Sequence, residues 1–160
     1  MSHAIDDGSQ IAMPGAWQQL TGTIIAAAIE VHSALGPGLP ERLYEEAMEI
    51  ELSARCIPIQ RQKTVQLSFK GQSLSPMVLD LVVAELVVIE LKAVEVVHPA
   101  HLAQLVGYMR ASKLPLGLLL NFNAPRLKDG LFRRINPDSP LFSTSEVFPP
   151  RSSVSSVYKS

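Results

Sequence analysis

The stretch that decides the fold is Val87-Val88-Ile89-Glu90-Leu91-Lys92-Ala93-Val94-Glu95-Val96-Val97 (VVIELKAVEVV). Its density of Val, Ile and Leu reads as a buried β-strand, yet it carries opposite charges. Side chains at i and i+2 of a strand share a face, so Glu90 and Lys92 point together while Ile89, Leu91 and Ala93 point the other way. The preceding run, MVLDLVVAE from Met77 to Glu85, has Asp80 at its centre. Ala84-Glu85 is short enough to join the two runs as an antiparallel hairpin, which brings Asp80 opposite or near Glu90. A Glu and a Lys alone on a strand face are usually a solvated pair. An Asp in a strand centre, by contrast, is poorly favoured and costly if buried without a partner. Two carboxylates held together repel unless a hard cation sits between them, and Mg²⁺ or Mn²⁺ with several retained waters suits such an open site. Lys92 would then orient or help deprotonate a metal-activated water for attack on phosphorus.

Outward from this stretch the period changes. LTGTIIAAAIEVHSAL has apolar Leu20, Ile24, Ala27, Ala28, Val31 and Leu35 at helical spacing, and Gly36-Pro37-Gly38 ends the helix. Pro40 opens a second helix, ERLYEEAMEIELSARC, with an expected stripe of Leu43, Ala47, Ile50 and Leu52 or Ala54. KTVQLSFKGQSL alternates Val65, Leu67 and Phe69 against polar residues, as a half-exposed strand closed by Lys70-Gly71-Gln72. After the hairpin, PAHLAQLVGYMRAS returns to helical spacing through Leu102, Leu105, Val106 and Met109. LPLGLLLNFN reads as a strand buried on both faces. The order ααβββαβ predicts a mixed α/β (α+β) domain with a central sheet flanked by helices.

At 160 residues the chain has the length of one domain, sufficient for a core without staples. With 47% hydrophobic and 18% charged residues it is globular and apolar enough at its surface to leave room for a homodimer interface. A formal charge of −1 excludes global attraction to nucleic acid, so binding of a polyanion would be local. The single Cys56 excludes an intramolecular disulfide and indicates a reducing compartment. The longest apolar run, Met77 to Leu91, is broken by Asp80, Glu85 and Glu90, which argues against a membrane span, and Asp6 and Asp7 argue against a secretory signal. A cytoplasmic protein is expected. Residues 1–18 and 138–160 lack periodicity, so a loose N-terminal segment and a Pro/Ser-rich tail are expected to flank a domain over 19–137.

Asp80 followed by Glu90-Leu91-Lys92 resembles the signature of the PD-(D/E)XK nuclease superfamily, with its restriction-endonuclease-like fold. Gly38-Leu39-Pro40-Glu41-Arg42-Leu43-Tyr44 is similar to the GxxExxY motif that names one bacterial family within it. The likeness continues through Tyr44-Glu45-Glu46-Ala47, His101 to Gln104 with Tyr108, and Gly117 to Asn123 with Lys128-Asp129-Gly130, covering Leu20 to Asn136. The family's aromatic and Arg shortly before the strand Asp are replaced here by Met77, Val78 and Leu79.

The resemblance implies a Mg²⁺- or Mn²⁺-dependent nuclease acting on DNA, or on RNA. Asp80 and Glu90 would bind metal, Glu41 would support a second metal or a water, Lys92 would position the attacking water and Gln104 would assist. Glu45, one turn beyond Glu41, is a weaker candidate. Tyr108, on one helix face with Gln104, would contact substrate, although it and Tyr44 also suit core-edge aromatics with bonded hydroxyls. His101 reads as a helix-start residue, and His32 and His98 as structural or exposed. Arg126, Lys128, Arg133 and Arg134 would form a phosphate-binding edge if they share one rim, and Arg110 and Lys113 complete the late basic residues. The competing expectation is a catalytically silent nuclease scaffold that binds nucleic acid or a protein partner.

Overall fold

The computed structural model describes residues 13–142. Most of the segment 1–18 and of the tail 138–160 lies outside them. The chain runs α1 (Gly15–Leu35), α2 (Glu41–Ala54), β1 (Ile59–Val65), β2 (Ser68–Phe69), β3 (Gln72–Ser73), β4 (Met77–Val83), β5 (Val87–Lys92), α3 (Pro99–Ser112), β6 (Leu116–Asn121) and β7 (Leu131–Ile135). Five strands form one sheet in the order β1-β4-β5-β6-β7, and β2 and β3 pair separately. β1, β4 and β5 are antiparallel neighbours, β5 and β6 are parallel, and β7 returns antiparallel to β6. The parallel step requires a crossover, which α3 supplies. This is a mixed α/β fold consistent with the restriction-endonuclease-like architecture.

Alternation along the strands sorts the apolar residues into two layers. Leu81, Val83, Val87, Ile89, Leu91, Leu118 and Leu120 meet α1 and α2 through Ile24, Ala27, Ala28, Tyr44 and Met48. Val82, Val88 and Leu119 meet α3 through Leu105 and Met109. All six residues of β6 are buried, as expected for a strand covered on both faces. α3 comes closest at Gly117, where an added Cβ would run into the Met109 sulfur and Leu105.

Several expectations shift. α1 begins at Gly15, before the periodic run from Leu20, because Met13 and Trp17 also join the core, and Leu35 is exposed. In α2 the buried face is Tyr44, Glu45, Met48 and Leu52, while Ile50 is 71% exposed. Aromatic Tyr44 wins the inward position and turns the helix away from the predicted stripe. KTVQLSFKGQSL is not one strand: β1 starts earlier, at Ile59, and stops at Val65, and the rest forms the small β2–β3 hairpin with Phe69 exposed. β5 ends at Lys92, so Ala93 to Val97 continue as irregular chain. β7 has no counterpart in the predicted order. Its five residues LFRRI pair along β6 but show little alternation in burial.

Candidate active site

The site lies at the end of β4–β5 away from the hairpin turn. Ala84 and Glu85 both take left-handed φ, 53° and 55°, and the turn closes with the Leu86 N–H donating to the Val83 carbonyl. From there the ladder pairs Val83 with Val87, Val82 with Val88 and Leu81 with Ile89, and then stops. One step further in that register Asp80 faces Glu90. Continued regularly, the register would place Leu79 opposite Leu91. Instead the Leu91 N–H donates to Asp80 Oδ2 at 3.0 Å, so a carboxylate occupies the ladder position.

Glu90 lies on the α3 side of β5, as its parity with Val88 requires, and is 3% exposed. Its Oε2 is 4.0 Å from Lys92 Nζ, and its Oε1 is buried without a hydrogen-bond partner. Burial first, and the charge of Asp80 second, push the Glu90 carboxyl from 4.5 up to about 8 against the opposing pull of Lys92. Asp80 is raised too, chiefly by burial, while the Leu91 N–H holds it down. Lys92 Nζ donates to Gln104 Oε1 at 3.2 Å, and Gln104 Nε2 donates to the Tyr108 hydroxyl at 2.8 Å. The i, i+4 spacing on α3 makes that last contact, so Gln104 spans from the strand lysine to the helix tyrosine.

Glu41 arrives from the other helical layer. Gly38 has φ 98°, Pro40 precedes the first turn of α2, and Glu41 Oε2 accepts from the Ala93 N–H at 3.2 Å just past the end of β5. One turn on, Tyr44 anchors this entry: its hydroxyl donates to the Gly36 carbonyl and accepts from the Leu39 N–H, and its ring stacks on Phe122 at 4.5 Å. Glycine, acid and tyrosine thus have separate tasks: turning the chain, reaching the strand end and fixing the helix.

Asp80, Glu90, Lys92, Glu41, Gln104 and Tyr108 therefore come together. Arg126 and Lys128 stand on the β6–β7 connection, beside Ile29, His32 and Ser33 of α1. Arg126 there binds Asp129 through Nε and Nη2. Arg133 and Arg134 are successive residues of β7 opposite Leu118 and Gly117, so they project from opposite faces of the sheet and do not share one rim. His101 accepts from the His98 N–H at the start of α3, and His32 Nε2 contacts the Ala124 carbonyl, both structural positions.

Two features were not read from the sequence. Asn121, at the end of β6, bonds both the N–H and the carbonyl of Val94 and so holds the chain leaving β5. An Asn closing an apolar strand was the available signal. Glu45, buried beside the site, accepts from Arg61 Nε at 3.0 Å and from Gln62 Nε2 at 2.9 and 3.1 Å, and Arg61 also binds Glu49. In β1 these two residues look like ordinary polar positions.

A family model of the PD-(D/E)XK nuclease superfamily matches residues 18–135, most of the chain. The chain belongs to the PD-(D/E)XK nuclease superfamily. No curated protein and no solved structure matches it. PD-(D/E)XK nucleases generally use divalent metal ions, and the donors here fit one: two oxygen-rich carboxylates side by side, one with a buried oxygen lacking any partner. Among the described residues no group of three or more His, Cys, Asp or Glu forms a ready cage. Mg²⁺ commonly binds through only one or two carboxylates, with water and substrate phosphate completing the shell. No helix among the described residues is long and apolar enough to cross a membrane.

Proposed function

We propose that the chain is a Mg²⁺- or Mn²⁺-dependent nuclease of the GxxExxY kind, hydrolysing phosphodiester bonds of DNA, with RNA as the second candidate substrate. The observation that carries this is Glu90: a buried carboxylate with an orphan oxygen, facing Asp80 and flanked by Lys92. A monovalent partner at 4.0 Å does not satisfy two clustered carboxylates, and a divalent cation would. When bound, the cation supplies Lewis acidity toward a phosphoryl oxygen and lowers the pKa of the attacking water.

The residues divide the remaining work. Asp80 and Glu90 hold the cation, with the Leu91 N–H fixing the orientation of Asp80. Lys92, held between Glu90 and Gln104, presents its ammonium to the attacking water and to the phosphate. Gln104 is fixed by Tyr108 and orients Lys92. Glu41, at the strand end, accepts from the Ala93 N–H and has a second oxygen to offer a water. Arg126 and Lys128, on the β6–β7 connection beside α1, are the candidate phosphate contacts for a longer strand. The absence of the family's Arg before Asp80 leaves Lys92 as the cation nearest the carboxylates.

Calorimetric titration with Mn²⁺ tests this reading. The wild type is expected to bind weakly and to gain thermal stability by mass action, and Asp80→Ala to lose both. Equal binding by the two proteins would move the metal elsewhere.

A further inference from the structure

β1 breaks strand geometry at one residue. Gln62 has φ 49°, in the left-handed region that an ordinary side chain adopts only at an energetic cost. The β1–β4 ladder pairs Arg61 with Leu81 and Lys63 with Leu79, so Gln62 stands opposite Asp80, and that pair is missing from the ladder. β4 is disturbed at the same level. Leu81 and Val83 pack on the α1/α2 side and Val82 on the α3 side, but Leu79 and Met77 also join the α3 side, so the in–out alternation slips by one residue at Asp80.

The clamp on Glu45 accounts for both distortions. Successive residues of a regular strand point to opposite faces, yet Arg61 and Gln62 both bond the Glu45 carboxylate of α2. With the backbone reversed at Gln62, the two side chains meet on one acid. With that pair lost, β4 is freed at Asp80, whose carboxylate turns toward β5 and takes the Leu91 N–H. Strain of this kind persists where the surroundings over-determine it, and here three hydrogen bonds to one buried carboxylate do so.

We propose that Arg61 and Gln62 are positioning residues for Asp80: clamped to Glu45, they hold β1 in the reversed conformation that releases Asp80 from β4 and aims it at β5. This rests on the reading of Asp80 as a metal-holding carboxylate. Positioning partners of this kind are worth about 10–100-fold in metal affinity.

The test separates backbone from side chain. Gln62→Val is β-branched and disfavours positive φ, whereas Gln62→Gly removes the same amide but accepts the conformation freely. Two readouts are taken on each folded variant: Mn²⁺ affinity by calorimetry, and the amide proton shift of Leu91, which reports the bond to Asp80 with no metal present. Gln62→Val is expected to lose about tenfold or more in affinity and to move the Leu91 amide, with Gln62→Gly losing less in both. If Gln62→Val does not fold, Glu45→Gln keeps the shape, removes the clamped charge and is expected to move both readouts. An unmoved Leu91 amide with unchanged affinity in Gln62→Val, or in Glu45→Gln where that variant replaces it, overturns the proposal. If the wild type binds no Mn²⁺, the metal reading of the site fails, and the Leu91 amide alone decides this one.

Discussion

The two ends of the β4–β5 hairpin are built from the same strands under opposite rules. Toward the turn, Val83, Val87, Val82, Val88, Leu81 and Ile89 pair in an unbroken ladder and are essentially inaccessible to solvent. Toward the other end, one residue beyond that ladder, two carboxylates face each other, a buried oxygen lacks a partner, and a neighbouring strand sits in a strained conformation. The first end holds the molecule together. The second stores electrostatic cost that a bound cation would offset, and it tolerates that cost only because the first is so regular.

Ile89→Ala should break the apolar end hardest. It empties a fully buried position in the larger core layer and is expected to cost about 2–5 kcal/mol, read as a lowered urea midpoint. A loss under about 1 kcal/mol would mean that the sheet does not depend on this layer.

Glu90 should give an effect of similar size but dependent on pH. The folded state holds the Glu90 proton more tightly than the unfolded chain, from 4.5 up to about 8. Its contribution to stability is therefore intact below about pH 4.5, falls as pH rises to about 8 and levels off above that. The ceiling on that loss is on the order of 5 kcal/mol. Glu90→Gln should flatten the difference between urea midpoints at acidic and alkaline pH, and saturating Mg²⁺ should flatten it in the wild type. An equal pH slope in Glu90→Gln would place the titrating group elsewhere.

A smaller change tests how the open end is braced. A Cβ on Gly130 would lie 2.6 Å from the Asn121 carbonyl oxygen, a backbone contact that cannot swing aside. Gly130→Ala is expected to cost about 1–3 kcal/mol and, by shifting Asn121, to speed hydrogen exchange at the Val94 amide. Unchanged exchange there would separate Asn121 from the site.

The sequence makes the apolar end and much of the site legible because both leave local marks. Period-two runs, a two-residue turn and an Asp in a strand centre show the hairpin, and the i, i+2 rule puts Glu90 and Lys92 on one face, where the structure has them. Gln104 and Tyr108 are implied by the family resemblance, and helical spacing puts the two on one face of α3. What was not legible depends on contacts distant in sequence. Ile50 is as apolar as its neighbours, and only the stacking of Tyr44 on Phe122 shows which face of α2 turns inward. Arg61 and Gln62 look like ordinary polar strand residues until Glu45 is brought against them. Arg133 and Arg134 look like one basic patch until β7 is known to be a strand, which sends them to opposite faces.

The central claim is that the strained, charged end is a metal-dependent phosphodiesterase site, and Lys92→Ala tests it most directly. Wild type, Lys92→Ala and Asp80→Ala are compared on single-stranded, duplex and branched DNA and RNA with Mg²⁺ or Mn²⁺, with circular dichroism confirming the fold. The expected result is divalent-dependent cleavage by the wild type that both variants abolish, with the Lys92→Ala fold intact. Cleavage surviving in both variants, or none by the wild type on any substrate, would contradict it.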